Sequence, residues 1–170
     1  VKLILSFYNG GIDAYPLQLQ RLAQKILDLA IKNKDQILES SAWSSLGQAY
    51  RITGDYVRGL ECHRKGLALA EKSGNLLLLA MAQNQMAHIY KDRQENDKAL
   101  SLYKSAMFIA EKINERQIMH WPYGNIGAVY LNMGNLDSAL HYMQISKSIN
   151  VNSKYISANN SLSYTTLATI

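Results

Sequence analysis

The sequence predicts an all-α protein built as a linear stack of antiparallel helix hairpins, and three observations predict it. The chain aligns with itself at a shift of 40 residues: Leu46-Gly47-x-x-Tyr50 falls on Met86-Ala87-x-x-Tyr90 and Ile126-Gly127-x-x-Tyr130. Small residues recur at the same shift on the following segments, as Gly59, Ala99 and Ala139 and again as Gly66, Ala106 and Ser146. Turn-forming clusters separate the segments at Gly54-Asp55-Tyr56, Gln94-Glu95-Asn96 and Gly134-Asn135-Leu136. Self-similarity of this kind marks a repeat array, in which each unit buries its apolar face mainly against its neighbours. Large residues such as Trp43, Leu46 and Tyr50 then line one side of a first helix, while small ones sit where two helices approach closely.

Taken in order, residues 1–9 read as the end of a helix closed by Gly10-Gly11. Pro16 suits the first turn of the next helix, where its missing N–H costs nothing. Residues 16–33 carry a second-helix pattern, since Leu27-Asp28-Leu29-Ala30-Ile31-Lys32 matches Leu67-Ala68-Leu69-Ala70-Glu71-Lys72. Helices are expected next at about 35–52, 55–72, 75–93, 95–113, 115–133, 135–149 and 153–170. The short turns between them force successive helices to lie antiparallel. The array thus divides into a partial repeat at 1–34, full repeats at 35–74, 75–114 and 115–152, and the first helix of a further repeat at 153–170. In that last segment Tyr164-x-x-Leu167-Ala168 repeats Trp43-x-x-Leu46-Gly47 with one residue added. Because it starts at Val1 and stops at Ile170 before a partner helix arrives, the chain is expected to be a piece of a longer array. Pro122 is the local anomaly. It falls in register with Ala42 and Ala82 inside a first helix, so it either kinks that helix or delays its start to about His120.

The stretch Trp43-x-x-Leu46-Gly47-x-x-Tyr50, with its partner helix carrying Gly59, His63, Gly66 and Ala70, resembles the tetratricopeptide repeat. Gly59, His63 and Glu71 stand where that family more often has alanine, an aromatic residue and proline. A period of 40 in place of about 34 is similar to the longer-helix branch found in bacterial regulators and in adaptors of the cell-polarity type. The resemblance implies a right-handed superhelix whose first helices line a concave side. It further implies a non-enzymatic scaffold that binds a protein or peptide segment, as the sensory or regulatory part of a larger signalling protein. Self-association through exposed apolar ends and convex faces is the alternative.

Ligand positions carried over from the resemblance are Gln48, Arg51, Met81, Asn84, Gln85, His88, Lys91, Trp121 and Asn125, with Ser44, Ser45, Gly124 and Ala128 in the same rows. Gln48, Asn84, Gln85 and Asn125 each offer an acceptor and a donor, suited to the main chain of an extended peptide. Met81 and Trp121 supply an apolar pocket. Arg51 and Lys91 suit a carboxylate. The clamp by which some members of the family grip a chain terminus needs lysine and asparagine four apart on one first helix. Here the corresponding pairs are Ser44/Gln48, Asn84/His88 and Gly124/Ala128, so that clamp is not formed.

Composition narrows the remaining classes. Hydrophobic residues make up 48% of the chain, yet no continuous apolar run is long enough to span a bilayer. The net charge is +5, with Lys and Arg scattered along nearly every expected helix. A solvated surface fits that scatter better than a nucleic-acid footprint, which needs a clustered stripe. Cys62 is the only cysteine, which excludes an intramolecular disulfide and a multi-cysteine zinc site. It suits a reducing compartment, favouring the cytoplasm without excluding a periplasm. Catalytic readings find no support: Cys62 and His63 are adjacent on a helix and point about 100° apart. His63 holds a core position, while His120 and His141 lack a second ligand at helical spacing. Glu111 and Glu115 read as solvent-facing, and Gly10-Gly11 lacks the surroundings of a phosphate loop. No cofactor or metal is expected, and the oligomeric state is left open.

Overall fold

The computed structural model describes residues 16–151, which form seven helices with no strand among them. These are α1 (Pro16–Lys32), α2 (Gln36–Ile52), α3 (Tyr56–Ser73), α4 (Leu76–Asp92), α5 (Asn96–Ile113), α6 (Arg116–Asn132) and α7 (Leu136–Val151). Each lies within two residues of its expected span. The spans expected at 1–9 and 153–170, with the Tyr164 motif, lie outside the described residues.

A turn repeated every 20 residues cuts the chain into these lengths. The backbone enters the left-handed region at Lys34, Gly54, Gly74, Gln94, Asn114 and Gly134. After each of these, the next N–H reaches back five residues to a carbonyl. Asp35 bonds Ala30, Asp55 bonds Tyr50, Asn75 bonds Ala70, Glu95 bonds Tyr90, Glu115 bonds Ala110 and Asn135 bonds Tyr130, at 2.9–3.4 Å. That bond satisfies a carbonyl left without a partner at a helix C-terminus. The same residue then caps the following helix. The side chains of Asp35, Asp55, Asn75 and Asn135 accept the N–H three residues on, at 3.0–3.1 Å. Glu95 makes no such cap and pairs instead with Arg93 and Lys98. One residue thus closes one helix and opens the next, and two such turns make the 40-residue period.

The helices pair as hairpins α2–α3, α4–α5 and α6–α7, with α1 packed on α2. Successive first helices also touch, α2 with α4 and α4 with α6, more extensively than α3, α5 and α7 touch one another. The first helices therefore line the inner side of the stack. Tyr50, Tyr90 and Tyr130 occupy equivalent seats: all are half-buried and all give their carbonyl to the turn. Arg58 lies 5.6 Å from the Tyr50 ring centre and Lys98 lies 5.4 Å from that of Tyr90. Ser138 takes that seat in the third hairpin, where Tyr142 stacks on Tyr130 at 5.6 Å instead. Within a hairpin the approach is close enough to demand small residues. A methyl on Gly47 would come 2.6 Å from the His63 ring, and one on Gly127 would come 2.8 Å from Met143 Cγ.

Pro122 sits inside α6, seven residues in, with the helix already formed from Arg116. The delayed start at His120 is therefore corrected. Proline donates no bond to the Ile118 carbonyl, but the turn before it is held from elsewhere. The amides of Ile118 and Met119 both reach the Glu115 carbonyl, at 3.2 and 3.1 Å. Ile118 is also buried in a cluster with Ala80, Ala110, Met119 and Trp121. Burying that face secures the helix upstream of the proline.

Candidate ligand-binding groove

Three parallel first helices bring the expected positions onto one wall. From α2 come Gln48 and Arg51, from α4 Met81, Asn84, Gln85, His88 and Lys91, and from α6 Trp121 and Asn125. Their exposure divides them. Gln48, Asn84 and Gln85 are buried, whereas Arg51, Met81, His88, Lys91, Trp121 and Asn125 are half-buried. Of the neighbouring rows, Ser45 is buried and bonded to the Ser41 carbonyl, at 3.0 Å.

The amides expected to stand open are largely tied to one another. Asn125 Nδ2 donates to Asn84 Oδ1 at 3.0 Å, across α6 and α4. Asn84 Nδ2 faces His88 Nε2 at 3.4 Å, and His88 Nδ1 meets the Tyr103 hydroxyl at 2.9 Å. With Asn84 donating to Nε2, His88 carries its proton on Nδ1 and gives it to Tyr103. Burial, then the charges of Lys91 and Arg51, hold His88 well below its ordinary range. It is neutral at pH 7, as this chain of bonds requires. Burial also raises the Tyr103 phenol, keeping it protonated. Such closure follows from depth, because a buried polar group left without a partner costs several kcal/mol at worst. Gln85 is the exception: its Oε1 is buried with no partner among the described residues.

The charged end has its own pairing. Arg51 donates through Nε to Gln48 Oε1 at 3.1 Å and through Nη1 to Asp92 Oδ2 at 2.5 Å. Asp92 therefore bridges α4 to α2. Lys91 Nζ lies 4.0 Å from the other Asp92 oxygen. Burial lowers the Lys91 pKa, Asp92 opposes that shift and Arg51 adds to it. At the opposite end of α4, Met81 and Trp121 line a small open depression with Asn84, Ala106, Ile118 and Pro122.

Two participants were not singled out from sequence. Asp92 follows Lys91 directly, and a carboxylate beside two cations of one row was the available signal. Tyr103 falls in register with His63 and Met143 at the 40-residue shift, and nothing in that spacing indicates that its hydroxyl reaches His88. His63 is fully buried, as its core position suggested, and neither ring nitrogen has a partner among the described residues. Burial, and secondarily Arg51, push its pKa down to about 3. Cys62, buried beside it, has its thiol pushed up to about 11, chiefly by burial, which keeps it protonated at neutral pH. Among the described residues no cluster of side chains could hold a metal ion, and no helix is long and apolar enough to cross a membrane.

Comparison with known proteins agrees with this architecture. Two family models described as tetratricopeptide repeat match residues 38–112 and 122–150, together more than half of the chain. No curated protein matches it. Among solved structures, BtubC (BKLC) from P. vanneervenii is similar with a TM-score of 0.70 at 19% identity, over 91% of this chain and 73% of that one. The apo form of RapI has a TM-score of 0.70 at 20% identity, over 87% of this chain and 53% of that one. Aspartyl phosphate phosphatase F from Bacillus subtilis has a TM-score of 0.70 at 17% identity, over 84% of this chain and 39% of that one. The chain thus spans about half or less of the latter two. At such identities the likeness is one of fold, and the fold fits a protein-binding scaffold.

Proposed function

This chain belongs to the tetratricopeptide-repeat family, and we propose that its first-helix face is a groove that captures a segment of another protein, without catalysis. The observation that carries this reading is a division of labour across the three first helices. Asn84, Asn125 and His88 are tied to one another, while half-buried Arg51, Lys91, Met81 and Trp121 stay at the surface of the same wall. A preformed wall of this kind binds without the cost of ordering itself. Placing the groove in the sensory or regulatory part of a larger signalling protein is part of the same proposal and rests on the repeat family alone.

The test is a random-peptide display selection on the immobilised chain. It is repeated on a groove variant, Met81→Ser with Trp121→Ala, and on a variant of the second helices, Phe108→Ser, at a residue 67% exposed on α5. The reading expects enriched sequences that lose binding to the groove variant and keep it with Phe108→Ser. Enrichment that survives the first change and fails with the second would move the contact surface to the opposite side.

A further inference from the structure

Apart from the groove, we propose that the outer side of the stack, formed by the second helices, docks on an anionic lipid surface. Charge divides the two sides. The second helices α1, α3, α5 and α7 carry eleven Lys and Arg against six Asp and Glu. The first helices α2, α4 and α6 carry three against two. Eleven less six is five, as large as the net charge of the whole chain. All eleven cations are exposed, while Arg51 and Lys91 on the inner side are half-buried. What is scattered along the sequence is gathered on one side of the fold.

Equivalent seats in the repeats set these cations in rows along the stack. Lys32, Lys72 and Lys112 stand in the last turns of successive second helices, and Arg64 and Lys104 repeat one another about two turns earlier. None of these five takes part in the ion pairs among the described residues, which engage Arg51, Arg58, Lys91, Arg93 and Lys98. Apolar residues stand exposed among them. Phe108, 67% exposed, lies four residues from both Lys104 and Lys112, so the three share one stripe of α5. On α1, exposed Leu29 stands three residues from Lys32. Helices that lie on a membrane combine apolar side chains that enter the headgroup boundary with lysines that stay at the charged surface.

The kinds of residue select this partner over others of the same charge. Eight of the eleven cations are Lys, a hydrated point charge, and three are Arg, whose planar fork is the better match to the phosphates of nucleic acid. Leu29 offers no ring on which a base could stack. Interfaces between proteins are depleted in Lys and enriched in Arg, Tyr and Trp. A lipid surface asks only for diffuse positive charge and apolar groups to insert.

The test is co-sedimentation of the chain with vesicles of phosphatidylcholine alone and of phosphatidylcholine with about one-third phosphatidylserine. Three variants at exposed positions are compared, with far-UV circular dichroism confirming the fold of each. They are Lys104→Gln with Lys112→Gln, Phe108→Ser, and Lys34→Gln with Arg93→Gln, which removes the same charge from two turns. The proposal expects binding to the serine-containing vesicles only, falling steeply between about 0.1 M and 0.5 M salt. The α5 lysine pair should weaken it about tenfold or more, Phe108→Ser about threefold, and the turn pair less than about twofold. Equal losses from the two charge pairs, or binding that survives salt on phosphatidylcholine alone, overturn the proposal. Retention on duplex DNA or on an acidic protein without vesicle binding, or no binding at all, overturns it as well. Each of these results leaves the groove reading standing, because none of the altered residues lies on a first helix.

Discussion

Beneath Gly47 in the first hairpin lies the imidazole of His63; beneath Gly127, eighty residues later, lies the thioether of Met143. The two hairpins differ again one helical turn away. In the first, Ser40 on the first helix donates to the Gly66 carbonyl on the second, at 2.8 Å. In the third the direction is reversed, with Ser146 on the second helix donating to the His120 carbonyl on the first, at 2.9 Å. The middle hairpin places Ala80 and Ala106 at these seats, with no hydroxyl at all. What the stack conserves is therefore a distance between backbones. Size decides who sits in each seat, and polarity is free to vary so long as an acceptor is near.

That freedom has a cost in the first hairpin, and acid should expose it. His63 remains neutral in the fold down to about pH 3, against an ordinary 6.5. Between those values the unfolded chain binds a proton that the folded chain does not. Stability from this source is complete above about pH 6.5 and falls toward pH 3, by up to about 1.4 kcal/mol per pH unit. His63→Met gives the first hairpin the side chain of the third. Urea midpoints measured from pH 7 to pH 4 should decline less steeply for this variant than for the native chain. His88 is shifted the same way and leaves a residual slope in both. Parallel profiles would mean that His63 is reached by water in the fold.

A methyl group tests the close approach itself. On Gly47 it would meet three atoms of the His63 ring at 2.6–2.8 Å, and the fully buried ring has little room to move. Gly47→Ala should cost about 1–3 kcal/mol by denaturant unfolding. Combining it with His63→Ala removes the obstacle, so the double variant should lose less than the sum of the two single ones. Simple additivity would break the link between small and large seats on which the comparison of hairpins depends.

The turns sharpen the comparison in the opposite direction. Gly54 and Gly134 adopt φ values of 81° and 76° at no steric cost, while Gln94 in the middle hairpin is held at 61° with a side chain. Gln94→Gly should therefore stabilise the chain by about 1 kcal/mol. An unchanged or lowered unfolding midpoint would show that the Gln94 side chain contributes something its exposed position does not reveal.

How much of this was legible beforehand depended on what each feature answers to. The tyrosines and small residues answer to the backbone of their own hairpin, so a 40-residue shift found them and located every described helix. The groove answers to neighbouring hairpins. Arg51 meets Asp92 and Asn125 meets Asn84 at an offset of 41, one more than the repeat. That extra residue is the stagger between successive first helices, and no comparison of equivalent seats reveals it. Hence Asp92 was passed over, and the amides of Asn84 and Asn125 were expected to stand open. Pro122 escaped for a related reason: the helix before it is held by Ala80 and Ala110 of the preceding hairpin.

The reversed serines provide the finest test. Each hydroxyl donates to a carbonyl within a helix, and removing it orphans no buried donor. Ser40→Ala and Ser146→Ala should each cost only about 0.5–1 kcal/mol, the net worth of an ordinary hydrogen bond. The first change gives its hairpin the residue that already stands at this seat in the middle one, Ala80. Thermal unfolding of the two single variants and the pair should give small losses that add, since the sites lie in different hairpins. A loss of several kcal/mol from Ser40→Ala alone would mean that this bond, rather than the size of Gly66, sets the distance between α2 and α3.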